Sequence, residues 1–509
     1  MKETPLGLGG KYIKNSYYND NNFIVEKIFI KYLIKKKKLF KIKKYNHIYP
    51  HCWRTNKPII YYPIKSWFIN LKKIKKKIIK LSKKINWCNT NSIKIKFDNW
   101  LKNIKNWNIS RSRFWGTPLP IWKTKNNKEY LVIGSLKQLK NEIKKSIKLG
   151  YIKKNINYKK IILHKPFIDK LILCSKKGKK MYRELDVIDV WFDSGSSTYA
   201  QNHYPFNKKK NYLIKKKIIF PSNFISEGID QTRGWFFTLH IISTIISKSI
   251  SYKNVLPLGI ILDKNGKKMS KSKGNTLDPF KILKKYGPDC IRWYMIYNNL
   301  PWKNIKFNIK NIKKIKNKFF NTLYNSFLFF FNYSKLDNFK LKDKYKKKYI
   351  DYWIISKLNN LLKKTYKNYK LYNITYISRD IYNFIIYDLS NWYIRLSRKR
   401  FWKKKYDNDK ISAFQTLYKC IINILKISYP ISPFFMEYIY RKLNYIDNNN
   451  KSIIFKKFPK YNNSKINNII ENNMYYIRKY TSIILSLRKK KNIKVRQPLK
   501  NIYILINKK

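Results

Sequence analysis

The sequence predicts two unlike halves, an α/β domain up to about residue 300 and an all-helical domain beyond about residue 310. Three observations carry that division. Between residues 51 and 300, short apolar runs alternate with turn residues and helical stretches. Within that half, "VLPLGIILD" (255–263) reads as a buried strand, followed by Asn265-Gly266, a pair suited to a tight hairpin turn. In the second half apolar residues recur at helical spacing, most clearly at Ile411, Phe414, Leu417, Tyr418, Ile421, Ile422 and Leu425.

Composition bounds the function classes. The 509 residues, 44% hydrophobic and 17% aromatic, suit about three domains with sizeable cores and exclude a largely disordered chain. No apolar run approaches the ~18 residues of a membrane span, and "MKETPLGLGG" lacks the apolar stretch of a signal peptide. The expectation is a soluble, cytoplasmic protein with no membrane partner. The net charge of +88 suits a nucleic acid partner. Yet lysine outnumbers arginine 100 to 14, and Ile, Asn, Tyr and Phe, which share A/T-rich codons with lysine, are also abundant. Compositional bias and a polyanion partner therefore both stand as sources of the charge. The five cysteines, Cys52, Cys88, Cys174, Cys290 and Cys420, include no CxxC pair, so neither a disulfide framework nor a complete zinc knuckle is visible.

The elements follow in order. Residues 1 to about 50 carry glycine early, then the lysine-rich "KIFIKYLIKKKKLFKIKKY". In "LDPFKILKKYG", Asp278 is a good N-cap, Pro279 suits the first helical position and Gly287 ends the helix. "KNIKFNIKNIKKIKNK" is low in complexity but keeps helical spacing. Pro430 and Pro433 stop the helix that contains Leu425, and "MYYIRKYTSIILSLRKKKNIKV" is a further amphipathic stretch.

"DKNGKKMSKSKGN" (263–275) places five lysines on a glycine-pinned turn. Lys268, Lys271 and Lys273 flank Met269, Ser270, Ser272 and Gly274, a mix of charge, small hydroxyls and flexibility that suits a mobile phosphate clamp. A cation there would neutralise charge developing on a departing pyrophosphate. The loop is not a P-loop, because GxxxxGK[ST] is absent. Solvated lysines are the bland alternative.

The KMSKS string resembles the signature of class I aminoacyl-tRNA synthetases. "HCWRTNKPIIYYPIKSWFI" (51–69), "SRSRFWGTPLPIW" (110–122), "DVWFDSGSSTYA" (189–200), "SEGIDQTRGWFFTLH" (226–240), "NWYIRLSRKRFW" (391–402) and "LRKKKNIKVRQPL" (487–499) come in the order found in isoleucyl-tRNA synthetases. The resemblance covers nearly the whole chain. It implies the second half of a Rossmann-like class I catalytic domain followed by an anticodon-binding helical bundle. The implied domains are a remnant of the editing domain with its return linker (1–50) and the catalytic portion with the KMSKS loop (51–300). A connecting, stem-contact helical region (301–345) and the anticodon-binding domain (346–509) follow.

The resemblance also assigns roles. Glu227, Gly228, Asp230 and Gln231 match the block that lines the aminoacyl-adenylate site, where a carboxylate and an amide bind an amino group or ribose hydroxyls. Trp235 matches a pocket tryptophan, with ordinary core packing as the alternative; for Asp230 and Gln231 the alternative is a loop cap. Lys271, with Lys268 second, is the candidate for the ATP phosphates, on a loop completed by Met269, Ser270 and Ser272. Asp193 and Ser194 either shape the nearby site or form a structural turn. Arg395, Arg398 and Trp402 suit phosphate contacts and base stacking; alternatively Trp392 and Trp402 are core and the arginines solvated.

Two family features are not found. None of His47, His51, His164, His203 and His240 sits in a His-x-Gly-His element, and the threonine-rich editing pocket is missing; only a tail around "GLGGKYIKN" matches that domain. Where relatives often pair cysteines, Thr55 follows Cys52 and Cys174 precedes "SKKGKK", so no metal, zinc included, is expected on this chain. The implied reaction is ATP-driven activation of L-isoleucine, with Mg2+ accompanying ATP, and transfer to tRNA(Ile), with a separately encoded amino-terminal half as partner. A non-catalytic tRNA-binding module or decaying relic is the rival, and valyl specificity is a second. The intact "EGIDQTRGW" and "KMSKS" favour a working enzyme.

Overall fold

The computed structural model describes residues 24–43, 45, 48–52, 55, 56, 58, 59, 63–153, 161–216, 218–270, 274–342, 345–447, 451–501 and 503. The chain divides into two compact units, Met1–Lys65 and Ser66–Lys509. In the first, the lysine-rich stretch forms a helix over Ile24–Lys35, with Glu26 in its first turn and Lys35 in its last, each favourable to the helix dipole. His51 and Pro58 pair in an antiparallel bridge. "GLGGKYIKN" (7–15) and His47 lie outside the described residues.

In the second unit, strands Ser222–Gly228 and Tyr252–Leu258 run parallel, with Leu258 opposite Gly228. The helix Trp235–Ile246 joins them. It is buried from Phe236 through Thr244; its apolar side chains enter the core, while Thr238 and Thr244 donate back to the Trp235 and His240 carbonyls (3.2 and 2.8 Å). It packs against helices Lys75–Ser82 and Asn91–Lys102 through a core that includes Leu71, Ile78, Phe97 and Leu101. Asn86 extends the sheet on the far side of the Tyr252 strand: its N–H donates to the Lys253 carbonyl (2.9 Å) and its carbonyl accepts from Val255 (2.9 Å).

The run "VLPLGIILD" is not one strand. It breaks at Gly259 and resumes as Ile261–Leu262, which pairs in parallel with Ile305–Lys306. The reason is a close backbone approach, since a Cβ on Gly259 would overlap the Lys303 carbonyl. Exchange of one partner strand for another becomes sterically feasible there.

A small antiparallel sheet, in the order Tyr130–Val132, Ile121–Thr124, Lys180–Arg183, Leu173–Cys174, sits between the motif blocks. It has its own core around Trp122, Leu139, Ile143 and Leu173, closed by the helix Leu136–Lys148. Cys174 lies on its edge strand, and its Sγ contacts the Ser175 carbonyl at 3.1 Å.

The helix Pro279–Tyr286 forms as its sequence dictates: the Asp278 carboxylate accepts from the Phe280 N–H at 2.9 Å and Gly287 ends it at φ 80°. The next helix, Pro288–Asn298, contributes Cys290, Trp293 and Tyr294 to the same continuous core as the helical half. Trp293 stacks on Phe319 with ring centroids 4.0 Å apart. The helix Asn408–Ser428 buries Ile411, Phe414, Leu417, Tyr418, Ile421 and Leu425, and Ile422 is half-buried. Pro433 opens the following helix, Pro433–Asp447. The last long helix, Asn468–Lys490, buries only Met474 and leaves Tyr475, Ile477 and Leu487 exposed. Among the described residues, no helix is long and apolar enough to cross a membrane.

Candidate functional site

The block "SEGIDQTRGW" spans the carboxyl end of a strand, a turn and the start of a helix. Glu227 is exposed and Gly228 half-buried at the end of strand Ser222–Gly228, the position where open parallel sheets bind ligands. The turn Ile229–Arg233 follows, and Gly234 precedes the buried helix. A Cβ on Gly228 would overlap the Asp230 carboxylate, and one on Gly234 would lie 2.6 Å from Gln231 Oε1. Both glycines therefore give room to the polar side chains of the turn.

Those side chains bond one another. Gln231 Oε1 accepts the Trp235 N–H at 2.9 Å, while Gln231 Nε2 donates to Asp230 Oδ2 at 2.9 Å. Gln231 thus bonds the first N–H of the helix, with Asp230 as its orienting partner. Trp235 is half-buried, between core and surface, and its indole N–H donates to the Ser194 carbonyl at 3.1 Å. That bond ties the "DSGSS" turn to the helix. Gly195 permits it, because a Cβ there would lie 2.8 Å from the Thr238 side chain. Asp193 accepts from Thr117 Oγ1 at 3.1 Å, and its burial raises the carboxyl above the usual carboxylate range.

A link the motif reading missed joins two of the quoted blocks. Strand Ser110–Arg111 pairs with Val187–Ile188. Asp189 Oδ2 accepts from Arg111 (2.8 Å) and from the Trp107 indole (3.1 Å), and Asp189 Oδ1 caps the following short helix at Trp191. The signal was a charge-complementary Arg and Asp in neighbouring motifs, but nothing in the sequence pairs them.

The lysine hairpin continues from the strand beside Glu227. Leu262 bridges to Lys268, and the Asp263-Lys264-Asn265-Gly266 turn closes it with Gly266 at φ 84°. Lys268 is exposed. Met269 lines an apolar cavity of about 280 Å3 with Ile261, Leu277, Ile282, Met295 and Phe307. The Ser270 N–H donates to Asn275 Oδ1 at 2.9 Å. Lys271 and Ser272 lie outside the described residues. The turn Ile229–Arg233 follows the strand Ser222–Gly228, and the lysine hairpin follows Ile261–Leu262, where the chain resumes after the parallel neighbour Tyr252–Leu258 has ended.

In the helical half, Arg395, Arg398 and Trp402 are all exposed on the helix Arg395–Trp402, at a spacing that shares one face. Trp402, 54% exposed, is not core, whereas Trp392 is half-buried with its indole N–H on Met474 Sδ. Arg400 points the other way. It reaches the fully buried Asp351 through two 2.8 Å bonds and Asp409 through a third of 2.8 Å. Among the described residues, no cluster of three metal-ligating side chains occurs.

This geometry sits within a recognisable family frame. Residues 14–308 match the family described as tRNA synthetases class I (I, L, M and V), and residues 351–504 match the anticodon-binding domain of tRNA ligases. The isoleucine–tRNA ligase of Bacteroides fragilis is 45% identical over 97% of this chain and 45% of its own length. That of Bacteroides thetaiotaomicron is 47% identical over 91% of this chain and 42% of its own length. The chain therefore spans about half the length of the curated relatives it matches. Mycobacterium tuberculosis methionyl-tRNA synthetase, in complex with methionyl-adenylate, superposes with TM-score 0.55 at 13% identity, over 77% of this chain and 65% of that one. The Agrobacterium radiobacter K84 LeuRS, in a ternary complex with tRNA and LeuAMS, does so with TM-score 0.54 at 15% identity, over 73% of this chain and 45% of that one. These two likenesses concern the fold alone. With the α/β portion matching the first family and the helical portion the second, the chain belongs to the class I tRNA synthetases of the isoleucine, leucine, methionine and valine group.

Proposed function

We propose that the chain carries the adenylate block, the lysine loop and the anticodon-binding domain of an isoleucine–tRNA ligase, and acts together with the amino-terminal portion of that catalytic domain. The observation that carries this reading is 45% identity to an isoleucine–tRNA ligase along 97% of the chain. The site arrangement supports it. Glu227 and Asp230 offer carboxylates to the substrate ammonium or ribose hydroxyls, and Trp235 offers an indole face to the aliphatic side chain. Lys268 and Lys271 then neutralise the pyrophosphate that leaves from ATP, which enters with Mg2+ as substrate. Catalysis on this reading is positioning and electrostatics, with no covalent enzyme intermediate.

Isoleucyl-adenylate next meets the terminal ribose of tRNA(Ile), which the helical domain holds through Arg395, Arg398 and Trp402. The working compartment is the cytoplasm. A hydrophobic pocket separates isoleucine from valine by only about 10², as is known of isoleucyl-tRNA synthetases themselves.

The test is isoleucine-dependent ATP–pyrophosphate exchange by the purified chain, alone and with a recombinant amino-terminal half of a Bacteroides isoleucine–tRNA ligase. Activity only in the mixture supports this reading. Absence of exchange in both, with tRNA still bound, moves the function to a tRNA-binding module. Faster exchange with valine than with isoleucine overturns the isoleucyl assignment.

A further inference from the structure

The lysine hairpin faces a physical difficulty. Lys264, Lys267 and Lys268 crowd one turn, and Asp263 is the single acid between residues 263 and 275. Like charges at that density push the two legs of the loop apart. Asp263 is nevertheless spent on backbone and amide groups: Oδ1 accepts from Asn265 N–H (2.9 Å) and Lys267 N–H (2.8 Å), and Oδ2 accepts from Asn275 Nδ2 (3.0 Å). The Lys267 N–H first, then Asn275, hold the carboxyl below the usual carboxylate range.

Asn275 closes the circuit. The same Nδ2 donates to the Lys268 carbonyl (3.2 Å), and Oδ1 accepts the Ser270 N–H (2.9 Å). One amide therefore grips the main chain on both sides of Met269, whose side chain lines the apolar cavity below. Carbonyl and amide hydrogen are held together, and only a carboxamide, with donor and acceptor on one planar group, can do both. A carboxylate would lose the two donor bonds and face Asp263.

We infer that Asn275, oriented by Asp263, is a positioning residue that fixes the main chain at Lys268 and Ser270 and so sets where the lysine loop meets a triphosphate. This rests on the proposed ligase reading. It predicts that the amide governs ATP and not the amino acid.

The test uses the full chain with the amino-terminal half, and three variants: Asn275→Ala, Asn275→Asp, and the exchanged pair Asp263→Asn with Asn275→Asp. In isoleucine-dependent exchange, Asn275→Ala should raise KM for ATP or lower kcat by about tenfold while KM for isoleucine stays within twofold of wild type. Asn275→Asp should be at least as impaired, because two carboxylates then face each other. The exchanged pair restores a donor to an acceptor across the loop and should recover part of that loss. In parallel, hydrogen exchange at the Ser270 amide should quicken by about tenfold in Asn275→Ala.

An equal rise in both KM values, an unchanged KM and kcat, or an unchanged Ser270 amide overturns the inference. If wild type shows no exchange activity in any mixture, the ligase reading fails instead. The Ser270 amide then decides alone: faster exchange in Asn275→Ala sustains the clasp, and unchanged exchange removes it.

Discussion

Buried His240 should make the α/β portion of the chain sensitive to mild acid. It lies wholly buried on the helix Trp235–Ile246, with Nε2 3.0 Å from the Ile78 carbonyl and Nδ1 buried without a partner among the described residues. A carbonyl only accepts, so Nε2 carries the proton and the ring is neutral. Protonating Nδ1 would place an unpaired charge in the core. Burial lowers the pKa from 6.5 to about 4, outweighing the Ile78 bond and the more distant Asp98, which both pull upward. The folded pKa is thus below the unfolded one, and the unfolded chain binds the proton first. Stability is therefore full above about pH 6.5 and declines as pH falls toward 4. At ~1.36 kcal/mol per unit the whole window is worth ~3 kcal/mol, and ~2 kcal/mol is already lost at about pH 5. The assay is urea unfolding at about pH 7.5, 6 and 5, followed by tryptophan emission, for wild type and His240→Gln. Trp87 serves as a local reporter, since its ring packs on Phe97, which in turn meets His240. Subtracting the two series cancels every other titrating group. Wild type should lose ~2 kcal/mol more than the variant between about pH 7.5 and 5. Parallel pH dependences would refute the argument, because they would mean that His240 does not bind its proton preferentially in the unfolded state.

Three further expectations concern the charged groups. Asp351→Asn removes a buried carboxylate that accepts from Arg400, Tyr393, Ser412 and the Lys348 N–H; it should cost ~3 kcal/mol in urea unfolding of the helical half, and a loss under ~1 kcal/mol would count against a structural role. Arg395→Ala with Arg398→Ala should leave that stability intact and reduce the salt dependence of tRNA binding by about 0.7 per lost single-strand phosphate contact, read from filter binding across a salt series; an unchanged slope would remove both arginines from the RNA face. Lys271→Ala in the reconstituted enzyme should slow adenylate formation at least about tenfold while tRNA binding persists, and an unaltered rate would end its role at the phosphates.

What the sequence made legible follows from how local each cause is. The helix Pro279–Tyr286 was readable because its cap, its first proline and its terminating glycine are all contiguous with it. The Asn408–Ser428 helix was readable because one-sided burial imprints a period on the residues themselves. "VLPLGIILD" was misread as one strand because its break depends on Lys303, far along the chain, whose carbonyl crowds Gly259. The site shows the same boundary. The motif blocks display residue types, but the bonds that hold them join Arg111 to Asp189, Asp263 to Asn275 and Asp351 to Arg400, at separations of 78, 12 and 49 residues. No period or propensity encodes such pairs.

Arg400 shows the consequence most directly. In "RLSRKR" it reads like Arg395 and Arg398, one more basic residue on a basic helix. The core decides otherwise: Tyr393, Ser397, Arg400 and Phe401 share the inward side, while Arg395, Arg398 and Trp402 share the outward one. Chemically identical side chains thus take opposite places, one holding the helix through Asp351 and two exposed to solvent. A charge count cannot separate them, and this bears on the net charge of the whole chain. Only cations outside networks such as Arg400–Asp351 and Lys410–Asp337 remain to bind phosphate. On the proposed ligase reading, the surplus that composition reports serves as a binding surface where helix phase turns it outward, and there substitution should change the salt dependence of RNA binding without changing the fold.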